Sequence, residues 1–184
     1  TRDAYEAALD EARLRGMAVT GHSPEGIRAL GVPESEPFNI AFGEIIDDGF
    51  ETLEHVETIV WHGLRARKDE AAARALARQL ADDGVAVTPT RVAHHNLLRM
   101  AETEGAAAER EGVELLNPFV QGLEAEVKAY WASADRVPLQ QEDAFQARMT
   151  KILAEEGVRL LAGSDAGIFI NVPGQSLIDE LRLL

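Results

Sequence analysis

Hydrophobic and polar positions follow two patterns along the chain, helical stripes and short apolar runs. Apolar residues recur every three to four positions over 4–15 and 69–83, as in helices with one buried face. Between such stretches lie short runs rich in β-forming residues, each directly preceded by a glycine suited to end a helix. The runs, which we predict to be strands, occupy 17–22, 50–55, 85–88 and 158–162.

Repeated helix–glycine–strand units predict an α/β fold with parallel strands and crossover helices. The spacing of the first three runs matches the length of one βα unit in an eight-stranded (β/α)8 TIM barrel. Residues 93–156 are helical in pattern and are predicted to be a helical insertion before the last strand. Four strands are half of such a barrel and would expose two strand edges. We therefore expect 1–184 to be a partial barrel that associates with the missing half or forms a homo-oligomer.

Composition narrows the range of partners. The chain has 184 residues, of which 46% are hydrophobic, and carries a formal net charge of −14, which disfavours binding to nucleic acid. It has no cysteine, which excludes disulfides, thiolate zinc sites and a cysteine nucleophile. No apolar run is long enough to predict a membrane span.

Because the sequence opens without methionine inside a helix, we expect a piece of a longer protein, and a cytoplasmic, periplasmic or secreted location stays open.

Three polar residues stand at the ends of the predicted strands: His22, His55 and Asp165. In parallel folds of this kind, the carboxyl ends of the strands carry the chemistry. Neutral imidazoles are good metal ligands, and a carboxylate binds metal or accepts a proton from water. Each residue alone also fits a structural role, as a hydrogen-bonded histidine or a turn aspartate. Together they predict a metal site for hydrolysis.

The other candidates carry weaker signals. His62 is expected in a surface loop, and His94 and His95 at an exposed helix start, although either of the latter two could reach the mouth of the site. Ser23 and Ser164 have no evident partner base in the sequence, so a serine nucleophile is not predicted.

Several segments resemble a known family in residue type and in order. They are Val19-Thr-Gly-His-Ser-Pro24, Thr52-Leu-Glu-His55, Val87-Thr-Pro-Thr90, Gly157-Val-Arg-Leu-Leu-Ala-Gly-Ser-Asp-Ala-Gly167 and the stretch 172–184. The chain resembles the metal-dependent amidohydrolase superfamily, in the branch of imidazolonepropionase and the Xaa-Pro or Xaa-Arg dipeptidases. The likeness spans the chain apart from the long helical segment.

The resemblance implies the C-terminal half of a (β/α)8 TIM barrel, about strands five to eight, holding one or two divalent metals. It implies that His22 and His55 are metal ligands and that Asp165 binds metal and shuttles protons. The His-x-His pair of the family's first strand is absent from this sequence, as is a good candidate for the carboxylated lysine often found on its fourth.

These observations predict a metal-dependent hydrolase, an enzyme that cleaves C–N bonds of amide, peptide-like or cyclic amide substrates through a metal-activated water. The substrate would be a small molecule or a dipeptide-like compound. Zinc is the first expectation for the metal, and Mn, Fe or Co suit the same ligands. Two alternatives stay open: a non-catalytic α/β fragment or interaction module with structural histidines, and a phosphoester or lactone hydrolase on the same barrel.

Overall fold

The computed structural model describes residues 2–24, 40–167 and 170–184. They divide into two compact units. Unit 1 comprises Thr1–Pro89 and Met149–Leu161, and unit 2 comprises Thr90–Arg148 and Ala162–Leu184. A short helix that the Ser23-Pro24 pair predicts over 24–30 falls, beyond Pro24, outside the described residues.

Unit 1 contains a parallel sheet whose three strands follow the order β1-β2-β3. Each strand is entered from a helix through a glycine with positive φ, as the sequence predicts. The elements in chain order are α1 (Arg2–Arg15), β1 (Val19–Gly21), α2 (Phe42–Asp47), β2 (Phe50–Glu54), α3 (Val56–Thr58), a π-helical turn (Ile59–Gly63), α4 (Glu70–Asp82) and β3 (Ala86–Thr88).

The fourth predicted strand, at 158–162, is reduced to a single parallel bridge between Val87 and Leu160. The Val87 N–H donates to the Arg159 carbonyl at 3.0 Å, and the Leu161 N–H donates to the Val87 carbonyl at 2.8 Å. The segment therefore runs beside β3 without continuing far enough to form a strand of its own. The half barrel stays a prediction, and the described sheet has three strands rather than four.

Helix α4 shows why the periodic pattern predicts helices well in this chain. Asp69 caps its start by accepting hydrogen bonds from the N–H groups of Ala71 and Ala72 at 2.9 and 3.2 Å. The small residues Ala73 and Ala77 of its apolar stripe are completely buried. Its opposite side carries charges, as expected for an amphipathic helix on a core. The stripe predicted over 69–83 is therefore confirmed.

Unit 2 is helical in its described parts, in agreement with the pattern over 93–156. The elements of unit 2 are α5 (Arg91–Glu102), two 3-10 turns (Ala106–Ala108 and Val113–Leu115), α6 (Pro118–Ala132), the first part of α7 (Arg136–Glu155) and α8 (Gln175–Leu183). Helix α6 begins after Asn117, whose side chain accepts a 2.8 Å hydrogen bond from the Phe119 N–H.

The apolar side chains of α6 divide between a core and the surface. Trp131 packs against a buried cluster that includes Met100 and Ile170. Phe119 and Tyr130 belong to the stripe that the sequence predicts for this helix, yet they are 73% and 68% exposed. None of the described helices is both long and apolar enough to cross a membrane.

Candidate metal centre

The two histidines predicted as metal ligands lie at the same edge of the unit 1 sheet. His22 directly follows β1, and His55 directly follows β2. The two strands are parallel and pair Gly21 with Leu53, so their carboxyl ends lie side by side. This register brings together residues that are 33 positions apart in the sequence.

The imidazole rings of His22 and His55 face each other through their Nε2 atoms, which are 2.9 Å apart. The ring centroids lie 4.3 Å apart, with an angle of 52° between the ring planes. Two nitrogens bound at 2.0–2.1 Å to one tetrahedral ion lie about 3.3 Å apart. The observed 2.9 Å spacing is that of a hydrogen bond between the two rings, so an ion bound by both nitrogens would replace this bond and move them apart by about 0.4 Å. The side chain of His22 is exposed to solvent.

The backbone at His55 adopts an uncommon conformation, with φ of 67° and ψ of 116°. A positive φ in a residue other than glycine costs on the order of 1–3 kcal/mol and is frequent at functional sites. Hydrogen bonds beyond the strand hold it, from the His55 N–H to the Thr88 carbonyl at 2.8 Å and from the Val56 N–H to the Pro89 carbonyl at 2.9 Å. Positive φ also occurs at Thr90 and Asp165, close to the ends of two other predicted strands.

The pair supplies two ligands, which is half of a four-coordinate zinc shell. Among the described residues, no group of three or more histidine, aspartate or glutamate side chains is arranged to hold a metal ion. Imidazole nitrogens are suitable ligands for a divalent metal, so His22 and His55 fit such an ion chemically. The remaining ligands would have to come from water, substrate or other residues.

Sequence reasoning missed a buried hydrogen-bond network next to this pair. His62 is 2% exposed and lies in the π-helical turn, so its prediction as a surface-loop residue is wrong. The apolar run Ile59-Val60-Trp61 directly before it is the signal that could have placed it in the core. The ring nitrogen Nε2 lies 2.8 Å from the Ile40 carbonyl, and Nδ1 lies 2.9 Å from the Ser23 hydroxyl. Since a carbonyl can only accept, Nε2 carries a proton, and in the neutral ring Nδ1 accepts from Ser23.

Ser23 therefore has a partner base, contrary to the expectation from sequence. The serine itself is only 2% exposed. A hydroxyl buried to this degree is not placed to attack a substrate, so the pair is a structural bond, and a serine nucleophile is still not indicated.

Asp165, the third predicted site residue, belongs to unit 2, where it is half-buried with φ of 48°. Its backbone carbonyl accepts a hydrogen bond of 3.2 Å from the side-chain amide of Asn171. The Gly167 N–H donates to the Asn171 carbonyl at 2.9 Å, which closes the loop. The side-chain amide of Asn171 thus holds the backbone of Asp165, and nothing in the sequence pattern indicated it.

His94 and His95 lie within α5 and are half-buried, so the expectation of an exposed helix start is wrong. Nδ1 of His95 lies 3.3 Å from an oxygen of Asp143, and Arg91 lies at the same distance from that oxygen. Burial alone would raise the pKa of Asp143, but the hydrogen bond and charge of His95, together with the charge of Arg91, outweigh it and lower that pKa. This cluster behaves as a structural ion pair of unit 2.

The fold that positions these residues is α/β and amidohydrolase-like. A search of solved structures finds a bottromycin amidohydrolase, with a TM-score of 0.65 and 23% sequence identity. The match covers 98% of this chain and 38% of that one, so the chain spans less than half the length of the structure it resembles. No family model matches the chain, and no curated protein matches it. At this identity the likeness concerns the fold alone.

Proposed function

We propose that this chain is part of a metal-dependent hydrolase that cleaves C–N bonds in amide, peptide-like or cyclic amide substrates. The observation that carries the proposal is the 2.9 Å approach of the Nε2 atoms of His22 and His55 at adjacent ends of parallel strands. The amidohydrolase-like fold supports the reaction class. Zinc suits two imidazoles best, and Mn, Fe or Co are compatible with the same ligands.

In this proposal the chain is the C-terminal half of a (β/α)8 barrel, about strands five to eight. The unpaired outer edge of β1 among the described strands supports completion by further strands. The rest of the barrel would come from the remainder of a longer protein or from another chain. The helical segment 93–156 would then be the insertion that precedes the last strand.

The proposed roles follow from the chemistry of the side chains. His22 and His55 would hold the ion through Nε2. A divalent ion held there would lower the pKa of water and polarise the substrate carbonyl. Asp165 would be the base that takes a proton from the attacking water and the acid that gives the same proton to the leaving nitrogen, so that hydrolysis of the C–N bond yields a carboxylic acid and an amine.

Metal titration of the purified protein tests the proposal. We expect Co²⁺ to bind with a visible absorption band, and we expect the His22→Ala/His55→Ala variant to bind it at least tenfold more weakly. The matched control is His94→Ala/His95→Ala, which removes the same number of imidazoles from α5. Thermal unfolding by circular dichroism confirms that both variants are folded.

Each result has a defined meaning. Binding that is lost in the first variant and kept in the control supports the metal centre, and a panel of dipeptides, lactams and aryl phosphates then tests the substrate class. Equal binding by both variants, or no binding by the full-length protein that contains residues 1–184, contradicts the proposal. That outcome would favour an interaction module in which the histidines are structural.

A further inference from the structure

We propose that His62 is a positioning residue that acts through Ser23 on the imidazole of His22. The inference rests on the proposed function of the His22–His55 pair. His62 is hydrogen-bonded to Ser23, the residue that directly follows His22, so the effect is carried to His22 by the backbone. The network links the chain that leaves β1 to the chain that leaves β2.

The backbone on both sides of His22 is held in place. On one side, Gly21 is held in the sheet by its pairing with Leu53. On the other side, Ser23 is held by its 2.9 Å hydrogen bond to Nδ1 of His62. The backbone of His22 is therefore fixed immediately before and immediately after the residue, although its side chain is exposed.

The imidazole of His62 is itself held by several contacts. Both ring nitrogens are engaged, one with Ser23 and one with the Ile40 carbonyl. The rings of His62 and Phe42 form a T-shaped contact, with 5.4 Å between their centroids and 82° between their planes. The next residue, Gly63, packs closely against α4, since a Cβ there would lie 2.6 Å from the Leu76 side chain. A side chain so tightly held transmits its position to Ser23.

A metal-binding side chain tolerates little displacement of its donor atom. A donor atom that binds a metal must be placed within about half an ångström of its productive position, and loss of supporting hydrogen bonds commonly weakens metal binding by 10–100-fold. The approach of the two Nε2 atoms depends on where the backbone sets His22. Freeing Ser23 removes one of the two flanking constraints, so the ring of His22 should leave its place opposite His55.

The experiment compares Ser23→Ala with Thr150→Val, which removes a buried hydroxyl from another part of unit 1. In metal-free protein, we expect an NMR nuclear Overhauser effect between ring protons of His22 and His55. Ser23→Ala should lose this contact and weaken Co²⁺ binding by about tenfold, while Thr150→Val keeps both. An apolar His62→Leu should act like Ser23→Ala, and His62→Gln should recover part of the effect because its amide both donates and accepts.

The ring contact and the metal affinity separate the two proposals. If Ser23→Ala and His62→Leu are folded and keep the ring contact, the positioning role is overturned, and His62 is merely structural. If the unaltered protein binds no Co²⁺ but the ring contact is lost in Ser23→Ala, the positioning role stands while the hydrolase proposal fails. If His62→Leu does not fold, Ser23→Ala decides the question alone.

Discussion

The side-chain amide of Asn96 donates a 2.6 Å hydrogen bond to the side-chain oxygen of Asn171, and both residues are at most 1% exposed. Asn171 in turn donates to the Asp165 carbonyl. A residue of α5 thereby holds the side chain that fixes the loop of Asp165. The loop is set by buried polar bonds within unit 2.

We predict that Asn171→Leu lowers the free energy of unfolding by about 2 kcal/mol, because it leaves the buried amide of Asn96 without this acceptor. Urea denaturation measures the loss. The double variant Asn96→Leu/Asn171→Leu should lose less than the sum of the two single variants, since both partners are then apolar. Strict additivity would show that the two amides do not interact.

Asp165→Asn tests the proposed proton shuttle. The substitution keeps the shape of the side chain and removes its ability to carry the proton. We expect a folded protein with at most a modest loss of metal affinity and a kcat reduced by a factor of 100 or more on any C–N substrate found. Asp82→Asn, on the exposed side of α4, is the matched control. An unchanged kcat in Asp165→Asn would exclude this role.

Glu180 is fully buried and accepts hydrogen bonds from the N–H groups of Arg91 and Val92 at 3.1 and 2.7 Å. Burial raises its pKa, and these backbone bonds offset only part of the rise. The folded protein thus holds the Glu180 proton more tightly than the unfolded chain does. Its contribution to stability is complete below the ordinary pKa near 4.5 and is lost as the pH rises through the raised pKa.

The corresponding prediction concerns the slope of stability against pH. Between pH 4.5 and 7.5, the free energy of unfolding of Glu180→Gln should fall less than that of the unaltered protein, whatever the constant offset between them. Urea denaturation at four or five pH values gives both curves. Parallel curves would mean that Glu180 has the same pKa in the folded and unfolded chains.

Two aromatic residues of α6 should differ sharply in their effect on stability. Phe119→Ala is expected to change the free energy of unfolding by less than about 0.5 kcal/mol, because the ring is exposed. Trp131→Ala should cost about 3 kcal/mol, because it removes a ring packed against Met100 and Ile170. Thermal or urea unfolding measures both. A large loss in Phe119→Ala would indicate that the ring is covered in solution.

Local signals in the sequence predicted much of the fold. The helix ends before β1, β2 and β3 were predictable because a glycine with positive φ stands at each one. The juxtaposition of His22 and His55 was predictable because parallel strands place their carboxyl ends at one edge. The prediction of a fourth strand was wrong because an apolar run indicates only that a segment suits a sheet. In the structure this segment pairs with β3 through one bridge, to Val87, which is too little to form a strand.

The missed features depend on tertiary packing. The hydrogen bonds of His62 to the Ile40 carbonyl and to Ser23 reach residues 22 and 39 positions away in the sequence. The π-helical turn that buries it has no sequence signature in the periodic patterns of ordinary helices. The stripe of α6 was read correctly as apolar, but a sequence gives the hydrophobicity of a face without saying what covers it, and Phe119 and Tyr130 are exposed.

The positive φ of His55 places two selective pressures on this position in opposition, one for stability and one for keeping the imidazole. Glycine would adopt the same φ of 67° without strain, so a lineage selected only for a durable fold gains by exchanging His55 for glycine. That exchange removes one of the two facing imidazoles. If the proposed metal centre is correct, histidine should be kept at position 55 in relatives that bind the metal, and glycine there would be expected in relatives that keep only the fold.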